Sequence, residues 1–352
     1  MVTINEVAES AGVSKSTVSR YIAKNGYVGK ESALKIESAI KALNFVPNLS
    51  ARSLKTKRST IVGLLLPDIT NPFFPMLAKG VEEYLQERGY QVLFSNIGDD
   101  GRLAEESLKT LVQSNAAGII STFDFTEKYP DLNIPVVIVD RVGHHSEFGV
   151  FADNKAGGRL AAEKILEAGA KHIAVVSGPI NAQSVNNRFK SSVAVLEESS
   201  AHFRTYYSKD YNFSVVREEA ARVLDDYLQV DSIIAPSDIH AIAFIREILG
   251  RGLSIPEDIQ VIGYDDILMS SFIYPALSTI HQPAYEMGSE AAKMIVELAS
   301  NRSVHQRQLK LPVYYVERET LRKLGVKHAC QEAEKFTPQR GKRPLSAEAQ
   351  RV

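Results

Sequence analysis

The side chains best suited to hold a small polar molecule are Asn71, Phe73, Phe74, Asp140, Arg141, Arg188, Phe213, Ser237, Asp265 and Gln282. Asp, Asn, Arg and Gln offer paired hydrogen-bond donors and acceptors that match neighbouring hydroxyls, while phenyl rings offer a flat apolar wall. Such a set grips a polyhydroxylated molecule without reacting with it. Each residue taken alone reads equally as a helix cap or an ion-pair partner. For Asp68 and Asp238, capping explains the residue at least as well as ligand contact does. Reactive constellations are missing: no G-x-G-x-x-G follows the first apolar run, and there is no Walker motif and no G-x-S-x-G elbow. His144 and His145 adjoin each other without carboxylate or cysteine partners at ligand spacing, which reads as a solvated loop. His172, His240 and His281 are isolated in the sequence, and Asp265–Asp266 resembles a metal pair only out of context. The expectation is no catalysis, no metal and no cofactor.

These residues gain meaning from what precedes them. Ile61–Leu66 is a continuous apolar run suited to a buried parallel strand, and residues 75–88 follow with helical spacing. Further runs at 92–95, 118–121, 136–139, 173–177, 233–235 and 261–263 alternate with helical patterns. Strand followed by helix at this rhythm predicts an α/β fold of open parallel sheets with helices on both faces. Ligands bind such sheets beyond the carboxyl ends of the strands. The segment from Asp68 to Phe74, Asp140–Arg141, Arg188, Ser237–Asp238 and Asp265–Asp266 all fall there, and Phe213 and Gln282 occupy comparable edges. Roughly six such units on each side of residue 155 exceed what one sheet needs, so two similar lobes are expected.

Length and composition fit that division. The 352 residues are too many for one ordinary core, and a hydrophobic fraction of 44% excludes disorder as the default. A single cysteine, Cys330, rules out an internal disulfide framework and suits a reducing cytosol. With no leader pattern and no apolar run near membrane-spanning length, the expectation is a cytoplasmic protein without a membrane partner.

Charge separates the first sixty residues from the rest. They contain ten Lys or Arg against four Asp or Glu, a net of +6, which leaves −7 for the remainder of a chain whose total is −1. A polyanion is the natural partner of such an end. Thr3 and Glu6 form a capping box before a first helix carrying Ile4, Val7, Ala8 and Ala11. Gly12 permits a tight turn, Val13 can plug the core, and Ser14 caps a second helix with Thr17, Val18 and Tyr21. A third helix is expected over 30–44, with Ile36, Ala39, Ile40 and Leu43 inward. This is a helix-turn-helix arrangement, in which Lys15, Ser16 and Arg20 near the start of the second helix are placed to reach bases or phosphates. After it, Pro47, Asn48, Ala51, Arg52 and Leu54 carry helix-start signals in a segment too short to be helical alone.

Thr3-Ile4, Val7-Ala8, Ala11-Gly12-Val13-Ser14, Thr17-Val18-Ser19-Arg20, Pro47-Asn48 and Ala51-Arg52-Ser53-Leu54 resemble the DNA-binding head and hinge of the lactose-repressor family of bacterial transcription regulators. The likeness extends through the body to about Thr320. It implies a homodimer on a pseudo-palindromic double-stranded operator, with DNA contacts from Thr3, Ser14, Lys15, Ser16, Thr17, Arg20, Asn48, Ala51, Arg52, Leu54 and Lys55. Leu54 matches a leucine that wedges between base pairs in the minor groove. The head departs from the usual pattern at Gly29, where a serine often caps the third helix, and at Ala33, near a common arginine. Modest losses of capping and phosphate contact are expected there.

The body resembles periplasmic sugar-binding proteins of the ribose type, whose sugar contacts fall at the ten residues named first. Ser237 is a mismatch, standing where an asparagine usually precedes the aspartate, and Ser191-Ser192 replace a usual Gly-Phe. The second change is expected to alter packing under the site. The resemblance favours a pentose, with ribose first, over a hexose or nucleoside; a protein corepressor stays open without a feature that supports it. The implied organisation is a headpiece at 1–46, a hinge helix and linker at 47–60, an N-terminal effector lobe from 61–155 and 283–320, a C-terminal effector lobe at 156–282, and an extension at 321–352. Within that extension a short helix is expected over 321–335 and a flexible tail beyond. Dimer contacts are expected from 72–88, 283–299 and parts of 215–250; Met76, Val81 and Leu85 face either inward or across the dimer.

The charge pattern makes DNA binding steeply salt-dependent. If about six phosphates are neutralised, operator affinity falls roughly a thousandfold between about 50 and 200 mM salt, which a fluorescence-anisotropy titration measures.

Overall fold

Three short helices open the computed structural model, which describes residues 2–23, 25–45, 59–98, 102–126, 128–129, 131–143, 146–179, 183–209, 211 and 213–323. Helix α1 (Ile4–Ala11) starts at a reciprocal capping box: Glu6 N–H donates to Thr3 Oγ1 at 3.4 Å, and Thr3 N–H donates to Glu6 Oε2 at 2.6 Å. Gly12, at φ 63°, closes it in the left-handed conformation and turns the chain toward α2 (Lys15–Ala23). Thr17 N–H donates to Ser14 Oγ at 3.2 Å, so Ser14 caps α2. Helix α3 (Lys30–Ala42) begins at Gly29 with no side-chain cap, the weakness expected of that position. Val7, Ala8, Ala11, Val18, Ile36, Ala39 and Phe45 form the buried core of the three helices, with Val13, Tyr21, Ile40 and Leu43 packed around it. The helix expected after Pro47, with its candidates Asn48, Ala51, Arg52, Leu54 and Lys55, lies outside the described residues, as do His144 and His145.

Two six-stranded sheets follow, each flanked by helices. The first contains β1 (Ile61–Leu66), β2 (Gln91–Asn96), β3 (Gly118–Ser121), β4 (Val136–Val139), β5 (Gly149–Ala152) and β11 (Gln308–Leu311), in the order β11-β5-β4-β3-β1-β2. The second contains β6 (His172–Ser177), β7 (His202–Tyr207), β8 (Ser232–Ile234), β9 (Gln260–Asp265), β10 (Thr279–His281) and β12 (Tyr314–Val316), in the order β12-β10-β9-β8-β6-β7. The helices between them are α4 (Phe73–Gln86), α5 (Arg102–Gln113), α6 (Asn154–Glu167), α7 (Gln183–Glu197), α8 (Phe213–Asp226), α9 (Asp238–Gly250) and α10 (Ala284–Ala299). The continuous apolar runs are the central strands: Val62 and Leu64–Leu66 are buried in β1, and all of β3 and β9 is buried. The edge strands β2 and β7 are mostly exposed instead, with only two half-buried positions each.

The chain divides into two compact units, one of residues 1–70, 74–150 and 285–309, the other of 71–73, 151–284 and 310 onward. The return at 309–310 differs from the expected assignment of 283–320 to the first lobe. Tyr314–Val316 pairs antiparallel with Thr279–His281, and Thr320 Oγ1 donates to Val261 O at 2.6 Å. A three-residue strand carries too little pattern to announce its sheet; the pairing is set by the partner, not by local periodicity. Of the helix expected over 321–335, residues 321–323 take an irregular course and the rest lies outside the described residues. Leu321 is buried in the second unit's core, and Arg322 donates to the carbonyls of Pro256 and Asp231, each at 3.0 Å, which holds the chain down in an irregular course.

Val81 and Leu85 face inward, fully buried, whereas Met76 is 44% exposed. In the first unit α4 and α10 meet at glycines: a Cβ on Gly80 would stand 2.0 Å from Tyr285 O, and one on Gly288 would stand 2.0 Å from Leu77 O. The helices approach that closely only because both lack a side chain there. Gly80→Ala must push them apart and should cost about 1–3 kcal/mol in urea denaturation. Gly250→Ala, at a helical position with nothing within 4 Å, should be neutral or stabilising in the same experiment.

Candidate functional site

At the carboxyl end of β9, Asp265 has φ 116° and Asp266 has φ 60°, two consecutive non-glycine residues in left-handed backbone. Such conformations cost about 1–3 kcal/mol each and persist where neighbours over-determine them. The neighbours are present. Gln282 Nε2, just past β10, donates to Asp265 Oδ1 at 2.6 Å, and Arg188 Nη1 of α7 lies 3.8 Å from the same oxygen. The Asp266 carboxylate receives His281 Nδ1 at 2.9 Å and Arg318 Nη2 at 2.5 Å. Burial works to raise the Asp266 carboxyl, but the bonds from His281 and Arg318 outweigh it and hold the group below the usual carboxylate range.

Arg188 is only 7% exposed. Its Nε donates to Asn154 Oδ1 at 3.0 Å, its Nη1 donates to Pro236 O at 2.7 Å, and its guanidinium lies 3.8 Å above the Tyr264 ring. Helix α7 comes close enough because Gly158 of α6 has no side chain: a Cβ there would meet Arg188 O at 2.0 Å. Ser192 Oγ makes bonds to Gly158 O at 2.7 Å and to Arg188 O at 3.1 Å, so it belongs to the packing beneath Arg188. The structure thus brings Arg188, Asp265 and Gln282 into one buried polar group. Among the described residues, Gln282 Oε1 is buried with no hydrogen-bond partner. Its amide orientation is fixed by Nε2 on Asp265, so Oε1 can only accept, and a ligand hydroxyl suits it.

The remaining candidates are placed differently. Ser237 is the cap of α9: His240 N–H donates to its Oγ at 3.4 Å, and Oγ shares a 2.9 Å bond with His240 Nδ1. Its single hydroxyl is therefore already committed locally. Asp238 is wholly buried and accepts from Ile267 N at 2.9 Å, Ser270 Oγ at 2.6 Å and Thr279 Oγ1 at 2.5 Å, a structural anchor. Burial pushes its carboxyl up to about 6 against those three bonds. Asp68 closes a local turn through Thr70 N at 2.8 Å. Asn71 Oδ1 accepts Phe73 N–H at 3.1 Å and so opens α4; Phe73 and Phe74 are buried, and Phe213 is the first residue of α8. In the first unit, Asp140 follows β4 at φ 66°, donates its N–H to Val150 O at 2.9 Å, and stands 3.9 Å from Arg141 Nε.

Asn154 and Tyr264, which touch Arg188, are not among the sequence candidates. Asn154 stands beyond the carboxyl end of β5, where the strand-end rule itself points. Tyr264 lies inside a strand and gives no such signal.

On the basic three-helix module, Lys15, Ser16 and Arg20 are exposed, and Ser16 and Arg20 lie one turn apart on the same side of α2. The hydroxyls of Ser16 and Thr17 each lie 2.8 Å from Ser14 Oγ, while Thr3 is occupied by its capping box. Among the described residues no group of three His, Cys, Asp or Glu side chains is arranged to hold a metal ion, and no helix is long and apolar enough to cross a membrane.

Residues 3–48 match the bacterial regulatory proteins of the lacI family, and residues 162–321 match the periplasmic binding protein-like domain. The chain is 62% identical over 322 residues to the ribose operon repressor of Lactococcus lactis subsp. lactis, covering 92% of this chain and 98% of that protein. Its fold is that of the lac repressor dimer bound to operator and the anti-inducer ONPF, with a TM-score of 0.83, 24% identity, and coverage of 92% and 99% of the two chains. A periplasmic binding protein/LacI transcriptional regulator from Alkaliphilus metalliredigens complexed with D-xylulofuranose is 28% identical, with a TM-score of 0.70 over 75% of this chain and all of that one.

The cap of α9 sets a pH limit. Burial holds the His240 imidazole down to about 3 from its ordinary 6.5, so the folded chain keeps it neutral while the unfolded chain takes a proton below 6.5. Stability is therefore lost as pH falls, by about 2 kcal/mol between roughly pH 7.5 and 5 from this group. Asp238 acts in the opposite sense and is common to wild type and variant. His240→Gln should lose less of its unfolding midpoint over that range, as urea denaturation at the two pH values will show.

Proposed function

Because this chain belongs to the lacI family of bacterial regulatory proteins and has a periplasmic-binding-protein-like core, we propose that it is a sugar-responsive repressor that binds a palindromic operator as a homodimer. The effector is a small sugar, ribose or another pentose, whose binding lowers operator affinity. Acting on an operator, the protein works in the bacterial cytoplasm.

The observation that carries the effector reading is Gln282 Oε1, a buried acceptor fixed beside Asp265 and Arg188. An acceptor so placed is costly unless a donor reaches it, and a sugar hydroxyl is such a donor. Arg188 and Asp265 supply donors and acceptors next to it, as vicinal hydroxyls require. The preference for ribose is supported by the likeness to the ribose operon repressor of Lactococcus lactis, and that for a pentose-sized ligand by the related regulator complexed with D-xylulofuranose. DNA binding is supported by the exposed Lys15, Ser16 and Arg20 on the second helix of the basic module. Large apolar side chains exposed on the second unit, Leu249, Leu268, Phe272 and Tyr274 at 42, 68, 73 and 87%, of which Leu249 and Tyr274 line one surface depression, support association of two copies. The effector and operator sites are then coupled as any two sites are, through a conformational equilibrium that each ligand biases.

Ribose should raise the thermal midpoint of the wild-type protein and weaken its binding to a labelled operator by about tenfold or more, while hexoses and nucleosides do neither. Gln282→Leu should remove both responses and leave operator affinity without sugar intact. Operator affinity that holds constant or rises in ribose would sink induction, and a midpoint shift confined to hexoses or nucleosides would displace the pentose.

A further inference from the structure

A guanidinium can serve a sugar only if its plane is fixed before the sugar arrives. Arg188 has three rotatable carbon–carbon bonds before its fork and sits at 7% exposure, where a wrongly turned charge finds no water to correct it. The Tyr264 ring fixes the plane of the fork but not its rotation within that plane. Pro236 O and Asp265 both address the Nη1 end. The Nε end is addressed by Asn154 Oδ1 at 3.0 Å. One bond at each end of the fork determines the rotation that the ring leaves open.

We propose that Asn154 is a positioning residue for the effector: it acts on the sugar through Arg188, by accepting the Nε–H and presenting the rest of the guanidinium in one orientation. Its own geometry is over-determined in the way this role requires. Asn154 is 5% exposed, its Nδ2 donates to Ala152 O at 3.2 Å, and this fixes which amide atom faces Arg188. Tyr264 OH lies 3.5 Å from the same Oδ1, so the ring beneath the guanidinium and the acceptor beside it are in mutual contact. Asp153, the residue before, caps α6 by accepting Ala156 N–H at 3.1 Å and pairs with Lys310 at 2.5 Å, which holds the helix start in place. Gly157, one turn on, leaves room for the Tyr264 hydroxyl, which would stand 2.1 Å from a Cβ there. The start of α6 is thus built around the Arg188 fork.

The proposal rests on the sugar-binding reading above for its effect on affinity, and the experiment separates the two. In protein with selectively 15N-labelled arginine and no sugar, the Arg188 Nε–H resonance should be protected from solvent exchange in wild type and in Asn154→Asp, which keeps the acceptor. It should lose that protection in Asn154→Leu. Calorimetric titration with ribose should then show a loss of roughly 10- to 100-fold in affinity for Asn154→Leu, recovery to within a few-fold of wild type for Asn154→Asp, and no further loss when Asn154→Leu is added to Arg188→Lys. Exchange protection that survives in Asn154→Leu overturns the proposal. So does an equal loss in Asn154→Asp, which would assign the role to the bond with Ala152 O, or a full additional loss in the Arg188→Lys background. If wild type binds no sugar tested, the effector reading falls while the exchange measurement still decides what Asn154 does to Arg188.

Discussion

A buried guanidinium governs the second unit. Removing an ion from water costs several kcal/mol even after relaxation, and the cost is recovered only if partners of good geometry surround it. Arg188 has a carboxylate at 3.8 Å, a carbonyl at 2.7 Å, an amide oxygen at 3.0 Å and an aromatic face at 3.8 Å. Those partners come from the end of β9, which supplies both Asp265 and Tyr264, from the segment just after β8 and from the start of α6, so three stretches of chain must converge on one side chain. Gly158 has no side chain because α7 must approach at that point, and Ser192 fills the polar gap behind it without adding bulk. A departure that looks remote, such as the serine at 192, is constrained by the same charge.

The second constraint is repeated in both sheets. Their strand orders are the same: read from the opposite edge, the first gives β2-β1-β3-β4-β5-β11 and the second β7-β6-β8-β9-β10-β12. In each, the carboxyl end of the fourth strand carries an aspartate at positive φ, Asp140 just past β4 at 66° and Asp265 as the last residue of β9 at 116°. A strand that simply continued would carry its side chains alternately up and down; a left-handed residue at the end turns the carboxylate out of that alternation. Glycine adopts these angles more easily but brings no carboxylate, so the strain at these two positions accompanies a chemical requirement.

How much of this was legible follows from where the information resides. Ile61–Leu66 and Gly118–Ser121 announce buried parallel strands because every residue is apolar, and Thr3, Gly12 and Ser14 announce helix ends because capping is local chemistry. The strand-end rule then found Arg188, Asp265 and Gln282 without knowledge of any contact between them. What escaped was tertiary. Tyr314–Val316 has no pattern long enough to choose between sheets, nothing around Arg322 announces the three carbonyls it reaches, and Tyr264 looks like ordinary core until an arginine is laid over it. Asn154 was within reach of the rule but reads first as a helix-start residue.

Ser237 shows how an apparent departure can redistribute a site's chemistry. An asparagine at that position has both a donor and an acceptor, so one can cap the helix while the other remains for a ligand. Serine has one hydroxyl, and here the cap of α9 and the His240 ring take it. His240 in turn shares its Nε2 with Ser208 Oγ at 3.1 Å and presents its ring to Tyr211, so the hydroxyl belongs to a buried network around a neutral imidazole. Under the proposed function, discrimination among sugars then falls more heavily on the neighbouring strand ends. There Gln282 Oε1 can only accept, its orientation being fixed by the bond from Nε2 to Asp265, and Arg188 can only donate. A hydroxyl meeting Gln282 must point its proton inward and one meeting Arg188 must point its oxygen inward. Two such demands on adjacent hydroxyls select a stereochemistry, and they do so with groups whose orientation is fixed before any sugar is present.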